Sequence, residues 1–470
     1  MKSLSDRLPS ILVAVLLIAA AMLGGASRAN EWSQMLMRIV ALGVLVVALW
    51  SPQVVRLARY RPLLIFGGLC VALGVLQLVP LPPGLWASLP ARGFYADIAA
   101  DIGLEPVWRP ISLAPDLTLH AVLALLIPGA MVVALASTPA ARLWKPALLI
   151  LAIGFVSLLL GYAQVASGPQ SALRFYAVTN RDAMVGVFAN RNHHAMLLAI
   201  LMPILFAMAA GFRTNETWRR LGPPLCAMAG LLVAGTLLAA GSRAGLILGG
   251  VGALAGAALF VSMAPVSRSR RAIRETPAGW RGWLAQPQKL LLPGVALLIV
   301  FLAVAFAQAP AMQRLLHTDR GEELRAQLFP AMFDMAVALF PLGGGLGSFD
   351  QVFRRFEPLE QLRTTYQNQA HMEPLQVVIE SGLPGLILML LFLAWWGRAT
   401  FAAWRAKRPA DFSEALPRLG SVVTGLALLG SAGDYPLRTP LHAAIFVIGC
   451  VWLSLGDRAI PSRPGSRRSR

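Results

Sequence analysis

Long unbroken apolar blocks alternate with short polar stretches along nearly the whole chain. Runs of spanning length fall at about 10–26, 35–50, 62–80, 117–136, 146–163, 193–211, 221–240, 244–263, 290–309, 374–396, 419–433 and 441–456. A helix crosses a bilayer in roughly 20 apolar residues, and a spanning backbone has to satisfy its own hydrogen bonds. The pattern predicts an all-α polytopic membrane protein with about 12 transmembrane helices. Residues 1–29 also read as a signal peptide, since Ser27 to Ala29 resembles a small-residue cleavage site. Cleavage there leaves the sidedness of every later span unchanged.

Composition agrees with this reading. Of 470 residues, 57% are hydrophobic and only 13% charged, against about a quarter charged in a soluble domain, and the mean hydropathy is +0.65. The net charge of +19 then becomes a question of topology. With a cytoplasmic N-terminus, 26 of the 41 Lys and Arg residues fall on the cytoplasmic side, beside only Asp6, Glu216, Glu275, Asp411, Glu414 and Asp457 as acids. Positive residues accumulate on the cytoplasmic face of membrane proteins, so both termini are expected there. The arginine cluster at 268–274 and the tail SRPGSRRSR read as topology signals and contacts for membrane lipids, with no nucleic acid as partner. Cys70, Cys226 and Cys450 lie inside apolar runs and read as core residues.

Five segments follow: spans 1–5 in 1–185, spans 6–9 in 186–309, a large outer loop at 310–373 between the ninth and tenth spans, spans 10–12 in 374–456, and a basic tail at 457–470. Two shorter outer connections occupy 81–116 and 164–192. In the large loop, Glu322–Phe340 has helical apolar spacing and is expected to lie on the membrane, while Asp350–Arg363 is a second helical candidate. The intervening LGGGLGSF has neither the P-loop lysine nor the dinucleotide spacing.

The stretch QNQAHMEPLQVVIESGLPG (367–385) organises the rest. His371 falls where the tenth span begins, Pro374 suits a first helical turn, and Glu373, Gln376 and Glu380 make one polar stripe. A carboxylate that deep in a span is costly in lipid, so Glu380 is expected to face a protein interior or a wet cavity. The sixth span opens with Asn190-Arg191-Asn192-His193-His194, the eighth with Gly241-Ser242-Arg243, and the twelfth with Asp434-Tyr435-Pro436-Leu437-Arg438. Helix N-termini carry partial positive charge and attract anions. An arginine there repels the dipole unless an anion sits between them, although each arginine taken singly also fits a snorkelling helix end. His193 and His194 project about 100° apart on a helix, and no acidic cluster accompanies them, so no metal is expected. Arg325, in the large loop, fits a solvated face or a substrate contact equally.

A lipid-linked diphosphate suits such a site, because planar guanidiniums grip phosphate in two-pronged fashion. Glycosyl transfer from it needs a stabilised leaving diphosphate and a deprotonated acceptor hydroxyl. Arginines supply the first, and His371, of a type whose ordinary pKa is about 6.5, supplies the second. The pieces FANRNHHA (188–195), GSRAG (241–245), ELRAQLF to PLGGGLGSF (323–349), HMEPLQVVIESGLPG (371–385) and DYPLRTP (434–440), in that order, resemble the O-antigen ligase and polymerase superfamily over about residues 185–445.

The resemblance implies an inner-membrane glycosyltransferase of GT-C-type fold with a periplasmic active site and no cofactor. Its donor is an undecaprenyl-diphosphate-linked glycan, and its acceptor is lipid A core, a growing polysaccharide or in some members a protein. It implies that His371 activates the acceptor and that Arg191 and Arg243 hold the diphosphate. Asn190, Asn192, His193, Arg325, Glu373, Asp434 and Arg438 are the further candidate substrate-binding residues. Met372 departs from the family pattern, in which Asn, Ser or Gln usually follows the histidine. The expectation is an inverting, metal-independent transferase. A transporter or flippase of lipid-linked saccharides is the rival reading, and it predicts polar residues near the bilayer midplane.

Overall fold

Eleven of the twelve apolar runs coincide with helices in the computed structural model, which describes residues 4–28, 32–50, 57–213, 215, 217–263, 320–362 and 367–456. The run at 290–309 lies outside the described residues, as do the tail and the arginine cluster. The helices are α1 (Leu4–Leu23), α2 (Trp32–Trp50), α3 (Arg61–Gln77), α4 (Pro83–Ala87), α5 (Gly93–Asp101), α6 (Pro115–Ala124), α7 (Leu126–Ser137), α8 (Lys145–Ala166), α9 (Arg191–Phe212), α10 (Gly222–Ala239), α11 (Arg243–Ser262), α12 (Arg320–Leu339), α13 (Phe349–Phe353), α14 (Glu373–Arg405), α15 (Leu416–Ser431) and α16 (Pro440–Leu453). Among the described residues, 8 helical stretches are long and apolar enough to cross a membrane. Helix α1 from Arg7, together with α15 and α16, is apolar but shorter. The molecule is a helical polytopic membrane protein. Its one described sheet is a two-stranded ribbon of β1 (Pro80–Leu81) and β2 (Arg109–Pro110).

Helix α9 is buried along most of its length and lies against α8, α10, α11 and α15. Small residues let α11 approach it closely: a Cβ at Gly245 would stand 2.3 Å from that of Ala195, and one at Gly252 would stand 2.8 Å from the Ala199 carbonyl oxygen. The starts of these two helices are thereby held side by side. The fourth apolar run divides into α6 and α7 at Leu125, because Pro128 has no N–H to return to residue 124.

The two ends of the bundle differ. At one end, Gly24 and Gly25, just past α1, meet the chain that opens α9 and α16: Leu441 N donates to Gly24 O (3.3 Å) and Ala189 N to Gly25 O (3.1 Å). At the other end, the buried Arg418 donates to the carbonyls of Ser262, Ala403, Ala406 and Lys407, tying the ends of α11 and α14 to the start of α15.

Helix α14 is not one rod. Its 33 residues would reach about 50 Å at 1.5 Å each, well beyond a hydrocarbon core of about 30 Å. Gly382 breaks it, with φ 57° and ψ −144°. Pro384 lacks the N–H that would return to Glu380, and the freed groups are taken by the glycine run and by α3. Gly344 N donates to Ile379 O (2.8 Å), Gly345 N to Glu380 O (2.9 Å), and Leu383 N to Pro341 O (2.8 Å). Gln77 Nε2 donates to the same Glu380 carbonyl (2.9 Å) while its Oε1 accepts from Leu346 N (2.9 Å). The glycine run is thus a clamp on a broken helix. The sequence pattern had placed one continuous span at 374–396.

A second core forms over this break, from Leu328, Met332, Met335 and Leu339 of α12, Phe349 and Phe353 of α13, and Ile379. Helix α12 matches the expected 322–340, but one apolar face is buried here in protein, while Phe329, Phe333 and Val337 remain exposed. The second loop helix is only α13, because Pro358 and the turns before it end it well short of residue 363. Arg92, fully buried, joins the 81–116 connection to the clamp by donating to Pro90 O, Ile111 O and Gly343 O. Burial pulls its pKa down to about 10, against the raising effect of Tyr95.

Candidate active site

Two capped helix starts form the base of the site. Asn190 caps α9, its side-chain oxygen accepting from Asn192 N (2.8 Å), and Ser242 caps α11, its hydroxyl accepting from Gly245 N (3.0 Å). The Ser242 hydroxyl in turn donates to Asn192 Oδ1 (2.9 Å), and Asn192 Nδ2 donates to Asp434 Oδ2 (2.8 Å). Asp434 Oδ1 accepts from Tyr435 N (3.0 Å) and faces His371 Nδ1 at 3.0 Å. One hydrogen-bonded chain therefore runs from α11 through α9 and the turn before α16 to His371, two residues before α14.

That chain fixes the chemistry of His371. A carboxylate beside Nδ1 selects the tautomer with the proton on that nitrogen, leaving Nε2 as the basic atom. The His371 side chain is 12% exposed and that of Asp434 6%, so the pair is partly shielded from water. His371 holds a left-handed backbone with φ 52°, unusual for a residue with a side chain, and its ring stands edge-on to Tyr435 with centroids 4.6 Å apart. Sparsely populated backbone conformations concentrate at functional sites.

Arg191 and Arg243 are the first residues of α9 and α11, both half-buried, so their side chains begin on adjacent turns next to Asn192. Asn190 and Asn192 hold the site together: the first is a cap, and both ends of the second are already bonded. His193 is buried behind Asp434, its Nε2 3.9 Å from Oδ1 and its ring edge-on to Tyr435 (5.1 Å). His194 points elsewhere, into the core at Ser157 Oγ (3.0 Å).

Glu373 opens α14 and accepts from Leu437 N (3.0 Å). Arg438 forks onto Glu380 through contacts of 3.0 and 3.4 Å, and Gln376 Nε2 donates to the same carboxylate (2.8 Å). Glu380 thus faces the protein interior. Burial weighs against charge on Arg438, but the carboxylates of Glu380 and Glu373 outweigh it and raise its pKa above the ordinary value. Arg325 lies on α12, and its side chain is outside the described residues. Sequence reasoning did not single out Ser242, Tyr435 or Gln77 as individual residues. The first two sit inside motif pieces; Gln77 carries no signal beyond being a lone amide at the end of an apolar run.

Among the described residues, no group of three or more His, Cys, Asp and Glu side chains is arranged to hold a metal ion. The starts of these membrane helices bring a histidine paired with a carboxylate and two arginines to one end of the bundle. Residues 227–390 match the family model described as O-Antigen ligase, which supports the resemblance to the O-antigen ligase superfamily. The match takes in Arg243, Arg325 and His371; the pieces at 188–195 and 434–440 fall outside it and join the site through the hydrogen bonds of Asn192 and Asp434. No curated protein matches the chain in sequence.

Proposed function

We propose that the protein moves a glycan from undecaprenyl diphosphate to an acceptor hydroxyl at the periplasmic face of the bacterial inner membrane, ligating it to lipid A core or extending a polysaccharide. The observation that carries this reading is the His371–Asp434 pair at helix starts that also carry Arg191 and Arg243. His371 Nε2 takes the acceptor proton, and Asp434 stabilises the imidazolium that results. The acceptor oxygen attacks the anomeric carbon from the face opposite the diphosphate, the carbon–oxygen bond to phosphate breaks, and configuration inverts. Arg191 and Arg243, with the helix starts, stabilise the departing charge without a metal.

His371→Ala is expected to abolish transfer from purified lipid-linked donor while the protein still inserts and purifies as a stable membrane protein. Glycan attachment at wild-type levels by that variant would overturn the reading. A deletion strain separates the two acceptors: complete chains stranded on the carrier identify a ligase, single repeat units a polymerase.

A further inference from the structure

The connection between α3 and α6 presents a surface that the proposed reaction does not use. It leaves and returns through the β1–β2 ribbon, which is fixed to the membrane helices: Ile111 N donates to Val79 O (3.3 Å) and Ser112 N to Gln77 O (2.8 Å). Arg92, just before α5, donates to Ile111 O (2.7 Å), so the start of α5 is held beside the end of α3 on the site's side of the bilayer, and Val107 and Trp108 lie just past the ribbon. Helix α5 stands on this base with none of its residues buried. Phe94, Ile98 and Ile102 recur every fourth residue along it as one exposed stripe, with Asp97 and Asp101 to one side. Ile102 is 67% exposed and Trp108 63%, and Leu104 and Val107 between them are exposed as well.

The inner side of this excursion is fully engaged. Trp86 Nε1 donates to Pro110 O (2.7 Å), Arg355 to Ala91 O (3.2 Å), and Arg92 to the glycine clamp at Gly343. Its outward face is thus held in one orientation, and Val75, Leu76 and Val79, where α3 meets the ribbon, are exposed and apolar as well. Exposed apolar side chains anchored beside the end of a membrane span, a tryptophan among them, have the chemistry of a lipid interface. We propose that residues 94–108 form a foot resting in the leaflet on the site's side, with phospholipid acyl chains covering Ile98 and Ile102, while Phe94, whose ring lies under the Arg355 guanidinium (3.8 Å), stays at headgroup level. Through Arg92 the foot sets the height of the clamp, and so of the α14 break, relative to the lipid headgroups.

The test uses the full chain with Cys70, Cys226 and Cys450 replaced by Ala, reconstituted in nanodiscs of phosphatidylethanolamine and phosphatidylglycerol. A nitroxide on Ile102→Cys reports collisions with oxygen, which concentrates in lipid, and with a water-soluble nickel chelate. Ile98→Cys gives a second reading should the first variant fold poorly. Leu123→Cys on α6 serves as the lipid reference and Glu360→Cys as the aqueous one. Collisions dominated by oxygen, matching the Leu123 label, are expected. Nickel collisions matching the Glu360 label overturn the proposal, and so does shielding from both reagents, which identifies a protein partner on this face.

Discussion

Asp434 joins the four helix starts, because its two oxygens serve Asn192 on one side and His371 on the other. Asp434→Asn replaces one acceptor with a donor and cannot meet both partners, so the Nδ1 proton of His371 is no longer fixed. The turnover number is expected to fall on the order of 10²–10⁴, with donor binding nearly unchanged; steady-state kinetics on purified donor separates the two. At this scale the sequence supplied the candidates, and the structure sets His371, Asp434, Arg191 and Arg243 at neighbouring helix starts. The order of motif pieces, and the rule that helix starts attract anions, brought His371, Arg191, Arg243 and Asp434 forward. It could not tell contact from support. Asn192 and Arg438 are candidate substrate-binding residues in the sequence, and the structure adds partners for both, Ser242 and Asp434 for the first and Glu380 for the second. Which partner occupies a polar side chain depends on residues up to 242 positions away, and no local pattern encodes that.

Among the elements, α14 shows where periodicity stops being informative. Its sequence, a polar stripe followed by a long apolar run, reads as one span, and only the Gly-x-Pro of Gly382, Leu383 and Pro384 marks the break. The conformation becomes affordable because Pro341, Gly344, Gly345 and Gln77 supply the missing hydrogen bonds from elsewhere. A Cβ at Gly382 would lie 1.9 Å from Pro341 O at a backbone angle foreign to other residues. Gly382→Ala should therefore lower stability by about 1–3 kcal/mol or more, measured as thermal unfolding in detergent, with loss of transfer. The fork between α14 and the turn before α16 gives a second expectation. Arg438→Ala strands the buried Glu380 carboxylate and should cost about 3–5 kcal/mol, whereas Arg438→Ala combined with Glu380→Gln should recover part of that loss. A double-mutant cycle read by thermal unfolding checks it; additive losses would show the fork to be idle.

For the molecule as a whole, hydropathy located every described helix of the bundle, since long apolar runs have few alternative structures in lipid. The shape of the outer assembly was not legible in the same way, because α5, the β ribbon and the second core are held by contacts between segments that have no shared period. The positive-inside count makes a testable statement about orientation. With the site outward, a membrane-impermeant thiol reagent added to intact inner-membrane spheroplasts should label Gln170→Cys and spare Glu414→Cys, the reverse holding in inverted vesicles. The broken helix also bears on how the chain is built. Everything that completes it, from Gln77 to Gly345, precedes Leu383 in the chain and so is synthesised before the second half of α14. Every partner that the gap in that helix closes against therefore already exists when its far half is made.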